Sequence, residues 1–267
     1  MTQFDLQLGD CVAGMSALRN ESVDLVVTSP PYNLAIDYGQ YDDDAARGSY
    51  LDWCRLWTSE VRRVLKPAGS FFLNLGASPS NPWLPHELVL QLREMFALQN
   101  TIHWIKAISI AETDGSFTSR GHFKPINSPR FLNDCHEYVF HLTPTGQTPI
   151  DRLALGVPYA DKSNIARWAH TTGRDKRCRG NNWFVPYQTI QRRDKERPHP
   201  ATFPIELAAN CIRLHGVSAN LAMLEPFLGI GNAALAAHEC GVATFTGFEI
   251  DEDYLAEAKR RIAAQLL

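Results

Sequence analysis

The sequence predicts an α/β fold built on a parallel sheet, with a long irregular lobe inserted before its C-terminal part. Three observations carry this expectation. Short β-branched runs with no helical period, such as Val23-Asp24-Leu25-Val26-Val27, read as buried strands. Stretches with apolar residues every three or four positions alternate with them. From about Ser109 to Pro198, Gly, Pro, Asn, Arg and aromatic residues interleave and the periodicity stops. That is too long for a structureless loop in a compact domain.

In order along the chain, Phe4 to Leu8 is a short apolar strand ending in Gly9-Asp10-Cys11, and a helix-like stretch follows. Val23 to Val27 is the second strand. It runs into Thr28-Ser29-Pro30-Pro31-Tyr32-Asn33, where two prolines stop helix and strand alike and leave a rigid loop. Leu51, Cys54, Leu56, Trp57, Val61, Val64 and Leu65 recur at helical spacing, so Tyr50 to Leu65 is a helix, ended by Lys66-Pro67-Ala68-Gly69. Ser70 to Leu75 is a strand, His86 to Phe96 a helix and Thr101 to Lys106 a strand. Within the lobe only His136 to Leu142 reads as a strand. Ile205 to Leu214 is then a helix and Leu221 to Leu224 a strand. Ala233 to Cys240 is a helix, Ala243 to Ile250 a strand and Asp253 to Leu266 a last helix.

The 267 residues are 45% hydrophobic and 21% charged, which excludes a disordered chain and a fibrous rod. No apolar run approaches the ~18 residues of a membrane span, and the opening MTQFDLQLGD has no secretory pattern. Six scattered cysteines form no C-x-x-C pair, and His122, His136, His141 and His170 have no ligand spacing. The expectation is a cytoplasmic protein with reduced thiols and no metal. The net charge is −3, but Arg120 to Arg197 holds 14 Lys and Arg against 7 Asp and Glu, leaving −10 for the rest. A basic middle on an acidic body suits a polyanion, or is simply a solvated loop surface.

Two loops carry chemistry. Gly229-x-Gly231-x-x-Ala234 follows a strand and opens a helix, and Glu249 lies 18 residues beyond Gly231 at the end of the next strand. The glycines permit a tight turn and close approach of a ligand, and a carboxylate at that place accepts the hydroxyls of a ribose. The spacing alone admits a dinucleotide or S-adenosylmethionine. Glu225 at the strand end favours the second, because a negative charge suits an ammonium or sulfonium better than a pyrophosphate. In Ser29-Pro30-Pro31-Tyr32 the Pro30 carbonyl and the Ser29 hydroxyl are acceptors beside an aromatic face. Such a set holds a planar amine and localises its lone pair for attack. The Tyr32 ring face is expected to matter more than its hydroxyl.

Together, and in this order, the two loops resemble those of amino-group DNA methyltransferases of the beta class, across nearly the whole chain. The resemblance implies a Rossmann-like, permuted S-adenosylmethionine-dependent methyltransferase fold with an inserted target-recognition lobe. Residues 1–108 would form the catalytic half, 109–198 the lobe and 199–267 the cofactor half. It implies Ser29, Pro30, Pro31 and Tyr32 as catalytic residues. It implies cofactor contacts from Asp10, Cys11, Thr202, Phe203, Glu225, Phe227, Gly229, Gly231, Asn232, Glu249 and Ile250. Glu225 and Asn232 replace the more usual Asp and Thr, and Phe203 stands where one family version has lysine. The segment His199-Pro200-Ala201-Thr202-Phe203-Pro204 would wrap the methionine part of the cofactor. Arg174, Lys176, Arg177, Arg179, Asn181 and Asn182 are the candidate contacts to double-stranded DNA. Trp168 and Trp183 read as core.

A serine at the first position of the loop points to cytosine N4, with adenine N6 as the alternative. Cytosine C5 chemistry needs a Pro-Cys nucleophile that the chain lacks. The target base would be flipped out of the duplex. A homodimer and a cognate restriction endonuclease are compatible partners. A methyltransferase acting on RNA or a protein amide, a nicotinamide dehydrogenase and a catalytically silent DNA-binding protein remain as rival readings.

Overall fold

The computed structural model describes residues 2–34, 36, 43–121, 123, 126–186 and 201–266. The chain runs β1 (Gln3–Leu8), α1 (Cys11–Ser16), β2 (Val23–Thr28), α2 (Arg47–Val64), β3 (Leu65–Leu75), α3 (Leu84–Leu92) and β4 (Ala97–Ile105). A hairpin of β5 (Ala107–Ala111) and β6 (Phe117–Gly121) follows, then β7 (His136–Thr143), α4 (Ser163–Arg167), a 3-10 turn at Ala169–Thr171 and β8 (Asn182–Phe184). The C-terminal part is α5 (Ile205–His215), β9 (Ala222–Glu225), α6 (Asn232–Glu239), β10 (Thr244–Glu249) and α7 (Glu252–Leu266).

Eight strands form one sheet in the order β1-β10-β9-β2-β3-β7-β4-β8. Side-chain alternation along each strand sends successive residues to opposite faces, and both faces are covered, which is why the strands read as continuous apolar runs. On one face Leu25, Val27 and Phe72 pack under α5 and α6 through Leu207, Cys211, Ile212 and Leu235. On the other, Val26, Phe71 and Leu73 meet α1, α2 and α3 through Met15, Trp57, Val61 and Leu88. The chain leaves β2 through α2 toward β3, and leaves β9 through α6 toward β10. The neighbours β2 and β9 are parallel, so the connections diverge between them. This is a topological switch point, where a crevice opens beyond the carboxyl ends of the strands.

Four expectations are corrected. The sheet is mixed, because β7 runs antiparallel to both β3 and β4. The segment 109–198 is not a separate lobe throughout: β7 lies between β3 and β4, and β8 pairs β4. β7 is drawn into the sheet because Val139, Phe140 and Leu142 are apolar on both faces and are buried there. What stays outside the sheet is the β5–β6 hairpin and the stretch carrying α4. Lys66-Pro67-Ala68-Gly69 is not a turn that separates helix from strand. The pairs Val23–Leu65 and Leu25–Ser70 bracket it, so it bulges out of a strand that begins at once after α2. Lys66 Nζ is tied there to Asp24 at 2.8 Å. Trp183 is core, whereas Trp168 is 49% exposed. His122, His199 and Pro200 lie outside the described residues.

Candidate active site

The crevice at the switch point is a single cleft walled by the ends of β1, β2, β9 and β10 and by residues 201–203. Ser29 to Tyr32 and the glycine loop face one another across it, although a large part of the chain separates them. Their strands are cross-linked at the base: the Thr28 hydroxyl donates to Glu225 Oε1 across 197 residues.

At the glycine-loop end, backbone groups do most of the placing. Gly229 and Gly231 have φ of 52° and 82°, in the left-handed region that favours glycine. Glu249 is 9% exposed. Its Oε2 accepts from the Gly229 amide at 2.7 Å and its Oε1 from the Asp251 amide at 2.9 Å. Burial raises its pKa, and the two amides oppose that. Each oxygen keeps a lone pair for a further donor. Glu225 is 1% exposed. Its Oε1 takes the Thr28 hydroxyl and the Phe227 amide, the latter at 3.1 Å, while its Oε2 has no partner among the described residues. Burial pushes this carboxyl well above its ordinary range. A buried orphan oxygen on an acid calls for a donor, and a cationic one offsets the cost of ionisation best.

The remaining cofactor candidates divide. Asp10, Cys11, Thr202, Phe203, Phe227, Gly229, Asn232 and Ile250 line the cleft. Asp10 also caps α1 by accepting from the Ala13 amide at 2.9 Å. Asn232 donates to the Phe203 carbonyl at 2.7 Å, holding residues 201–203 against α6. Glu225, buried beneath the cleft, and Gly231 do not line it. A Cβ on Gly231 would stand 3.1 Å from Ala258 Cβ, so the glycine serves the turn and the packing of α7 rather than approach to a ligand.

At the Ser29–Tyr32 end, side chains do the placing. Tyr50, itself 1% exposed, donates to the Pro31 carbonyl at 2.7 Å. Nothing among the described residues donates to the Pro30 carbonyl. The Asp43 carboxylate collects the backbone amides of Asn33, Leu34 and Ile36 at 2.7, 2.9 and 3.1 Å, fixing the exit from the loop. The Tyr32 hydroxyl lies 2.7 Å from Ser29 Oγ, 3.1 Å from Glu137 Oε2 and 3.2 Å from the Asn74 carbonyl. The hydroxyl is thus engaged by three groups from three parts of the chain.

Sequence reasoning missed Asn74, Trp104 and Glu137, which line the cleft, and Lys106, which pairs with Glu137 at 3.0 Å. The available signal was the one carboxylate in β7, Glu137, next to its apolar run Tyr138-Val139-Phe140. Trp53 also lines the cleft and packs on Phe227 at 5.5 Å. Cys11 is the thiol nearest the chemistry, but burial and Asp10 push its pKa up to about 12, so it is no thiolate at neutral pH.

None of the six candidate DNA contacts lines this cleft. Arg174, Lys176, Arg177 and Asn182 are exposed, and Arg179 borders a second cleft beside Arg152 and Asn181. No carboxylate pairs with any of these arginines or with Lys176 among the described residues. Asn181 spends its amide nitrogen on the Thr101 carbonyl at 2.8 Å, joining the start of β8 to β4.

Residues 23–260 match the family of N6/N4 DNA methylases. The chain is 29% identical over 266 residues to the Type II methyltransferase M.ScaI of Streptomyces caespitosus, covering 96% of this chain and 80% of that one. It is 24% identical to the DNA adenine methyltransferase YhdJ of Escherichia coli K12, over 95% and 81%. In structure it is similar to the cytosine-N4-specific PvuII DNA methyltransferase, with a TM-score of 0.68 and 18% identity over 98% of this chain and 86% of that one. A putative DNA modification methylase from Thermus thermophilus, complexed with S-adenosylmethionine, gives a TM-score of 0.65 at 23% identity over 98% and 94%.

Proposed function

The chain belongs to the N6/N4 family of DNA methylases, S-adenosylmethionine-dependent enzymes, and from that premise we propose that it methylates the exocyclic N4 amine of a cytosine flipped out of double-stranded DNA. The observation that carries the choice of base is Ser29: a neutral hydroxyl, not a carboxylate, stands first in the loop and faces the cleft. The exocyclic amine of cytosine presents its hydrogens, which a small neutral acceptor takes without bringing a second charge to the base.

The donor set fits the cofactor. Glu225 Oε2, buried and without a partner among the described residues, supports a cationic donor such as an ammonium near the end of β9. Glu249, clamped by two backbone amides and lining the cleft, supports an acceptor role toward ribose hydroxyls. When bound, S-adenosylmethionine supplies an electrophilic methyl on a sulfonium. The protein's own part is to accept the amine hydrogens at Ser29 Oγ and the Pro30 carbonyl, which concentrates the lone pair on nitrogen. The Tyr32 ring stacks on the base, and such stacking offsets the few kcal/mol that flipping costs. The nitrogen would gain the methyl as the carbon–sulfur bond breaks and the sulfonium leaves as a neutral thioether, and its proton would pass to solvent, with no covalent bond to the enzyme. Arg174, Lys176, Arg177 and Arg179, on the exposed segment beside β8, bind phosphates on the same reading. The Type II relatives support a setting with a partner restriction endonuclease.

Nucleoside mass spectrometry of DNA incubated with the protein and S-adenosylmethionine tests this. N4-methylcytosine is expected. N6-methyladenine, the second reading, favoured by the relative named an adenine methyltransferase, would overturn the base but keep the site. Finding 5-methylcytosine would overturn both.

A further inference from the structure

Behind the Tyr32 ring lies a buried polar cluster that the transfer step as described does not use. Glu137 comes from β7, Asn74 from β3 and Lys106 from the residue after β4. Their side chains are nearly closed off: Glu137 is 12% and Lys106 16% exposed, and Asn74 is 4% exposed as a residue. Glu137 Oε1 pairs with Lys106 Nζ at 3.0 Å. Its Oε2 accepts from Asn74 Nδ2 at 2.6 Å and from the Tyr32 hydroxyl at 3.1 Å. The same Asn74 amide donates to the Tyr32 oxygen. The fit is close on the far side as well. A Cβ on Gly76 would stand 2.9 Å from Tyr32 Cε2 and 3.2 Å from Glu137 Cδ.

Counting protons gives this cluster a direction. A phenol has one proton and two lone pairs. The Tyr32 oxygen receives the Asn74 amide, and the charged acceptor beside it, Glu137, outcompetes neutral ones for the phenol proton. Ser29 Oγ, 2.7 Å away, is then left to donate to Tyr32. Its single proton is spent inward, and only lone pairs remain toward the cleft.

We propose that Glu137 is a positioning residue for methyl transfer: by taking the Tyr32 proton it makes Ser29 a pure acceptor for the target amine. This rests on the reading that Ser29 holds an amine. It does not depend on which base carries that amine. A serine is ambiguous where an aspartate is not, and the buried ion pair removes the ambiguity. With glutamine at 137 the charged acceptor is gone, and the neutral Ser29 hydroxyl, 2.7 Å away, competes for the Tyr32 proton. When Tyr32 donates to Ser29, the serine's hydrogen points at the amine's own hydrogens.

A double-mutant cycle on turnover tests the coupling. Glu137→Gln is expected to lower kcat at least tenfold, with affinity for S-adenosylmethionine, read by calorimetry, unchanged within twofold. Tyr32→Phe, which breaks the same chain at its middle, is expected to lower kcat about tenfold. The double variant is expected to lose no more than the worse single. Losses that multiply, or a Glu137→Gln enzyme with wild-type kcat, would overturn the proposal. If Glu137→Gln fails to fold, Tyr32→Phe alone decides: an unchanged kcat overturns it. Wild-type enzyme that methylates no DNA amine would overturn the underlying function instead, and N6-methyladenine as product would correct the base and leave the cycle intact.

Discussion

The two ends of the cleft place their chemical groups by different means. At the glycine-loop end, Glu249 is held by backbone amides of Gly229 and Asp251, and Glu225 by the Phe227 amide and one hydroxyl. At the Ser29–Tyr32 end, the loop is held by side chains of Tyr50, Asp43, Asn74 and Glu137 arriving from separate elements. Backbone placement follows from the path of the chain and survives most side-chain changes. Side-chain placement is lost one substitution at a time. The first end is therefore vulnerable to changes in chain geometry and charge, the second to conservative changes in hydrogen bonding.

The largest expected effect tests the first half of that contrast. Gly231→Val places a β-branched residue at φ 82° with its Cβ 3.1 Å from Ala258, which costs about 2–4 kcal/mol of strain and overpacking. Chemical denaturation is expected to show a large fall in stability. A variant as stable as wild type that merely fails to bind cofactor would mean that the glycine faces the ligand after all.

Glu225→Gln probes charge at the same end. S-adenosylmethionine affinity is expected to fall about tenfold to a hundredfold, the size of a charge-assisted hydrogen bond. The pH dependence gives the sign. Glu225 is harder to ionise folded than unfolded, so the folded chain holds a proton that the unfolded chain releases above its ordinary pKa of about 4.5. Its contribution to stability thus declines as pH rises through that value and on to the folded pKa. A bound ammonium favours the ionised form, so binding releases a proton and wild-type affinity climbs with pH over the same window. Calorimetry in buffers of different ionisation enthalpy reads this release, and Glu225→Gln should abolish it. A variant that keeps the proton release would assign it to another group.

Elsewhere in the sheet the sign reverses. His141 stacks on Phe72 at 4.4 Å and shares Ser70 Oγ with His215, at 3.0 and 2.9 Å. Burial lowers the His141 pKa to about 4 and lowers that of His215. The unfolded chain takes up protons first, so stability is lost as pH falls from about 6.5 toward 4. Replacing His141 with Gln should flatten this part of the pH–stability curve. An unchanged curve would move the titration to other histidines.

The smallest expected effect concerns the exposed cations beside β8. Reversing the charge of Arg177 and Arg179 should weaken DNA binding and make its salt dependence shallower, by about 0.9 in slope for each phosphate no longer neutralised. Affinity for S-adenosylmethionine should not move. An unaltered slope would take these residues off the DNA-facing surface.

The same division explains how much could be read before the structure. The glycine loop, Glu249 and the Ser29–Tyr32 loop are contiguous or sit at a fixed spacing, and strand ends locate them. The helical face of α2 was legible from the recurrence of Cys54, Trp57, Val61 and Val64, all fully buried. The cluster of Asn74, Lys106 and Glu137 was not, because its members lie 31 and 63 residues apart and meet only once β7 is inserted antiparallel between β3 and β4. No periodicity encodes that insertion: β7 reads as a strand but does not name its neighbours. The bulge at Lys66–Gly69 was missed for a related reason, since Pro and Gly mark a break in hydrogen bonding and do not tell a turn from a bulge.

The division of labour between the two ends is tested most directly by measuring cofactor affinity and turnover side by side in Tyr32→Ala. Base stacking contributes about 1–3 kcal/mol, and loss of the hydroxyl also frees Ser29 and Glu137. The expected result is S-adenosylmethionine affinity within twofold of wild type, with turnover on DNA lower by a hundredfold or more. Loss of cofactor affinity in step with turnover would contradict the account, because the two ends would then be one site.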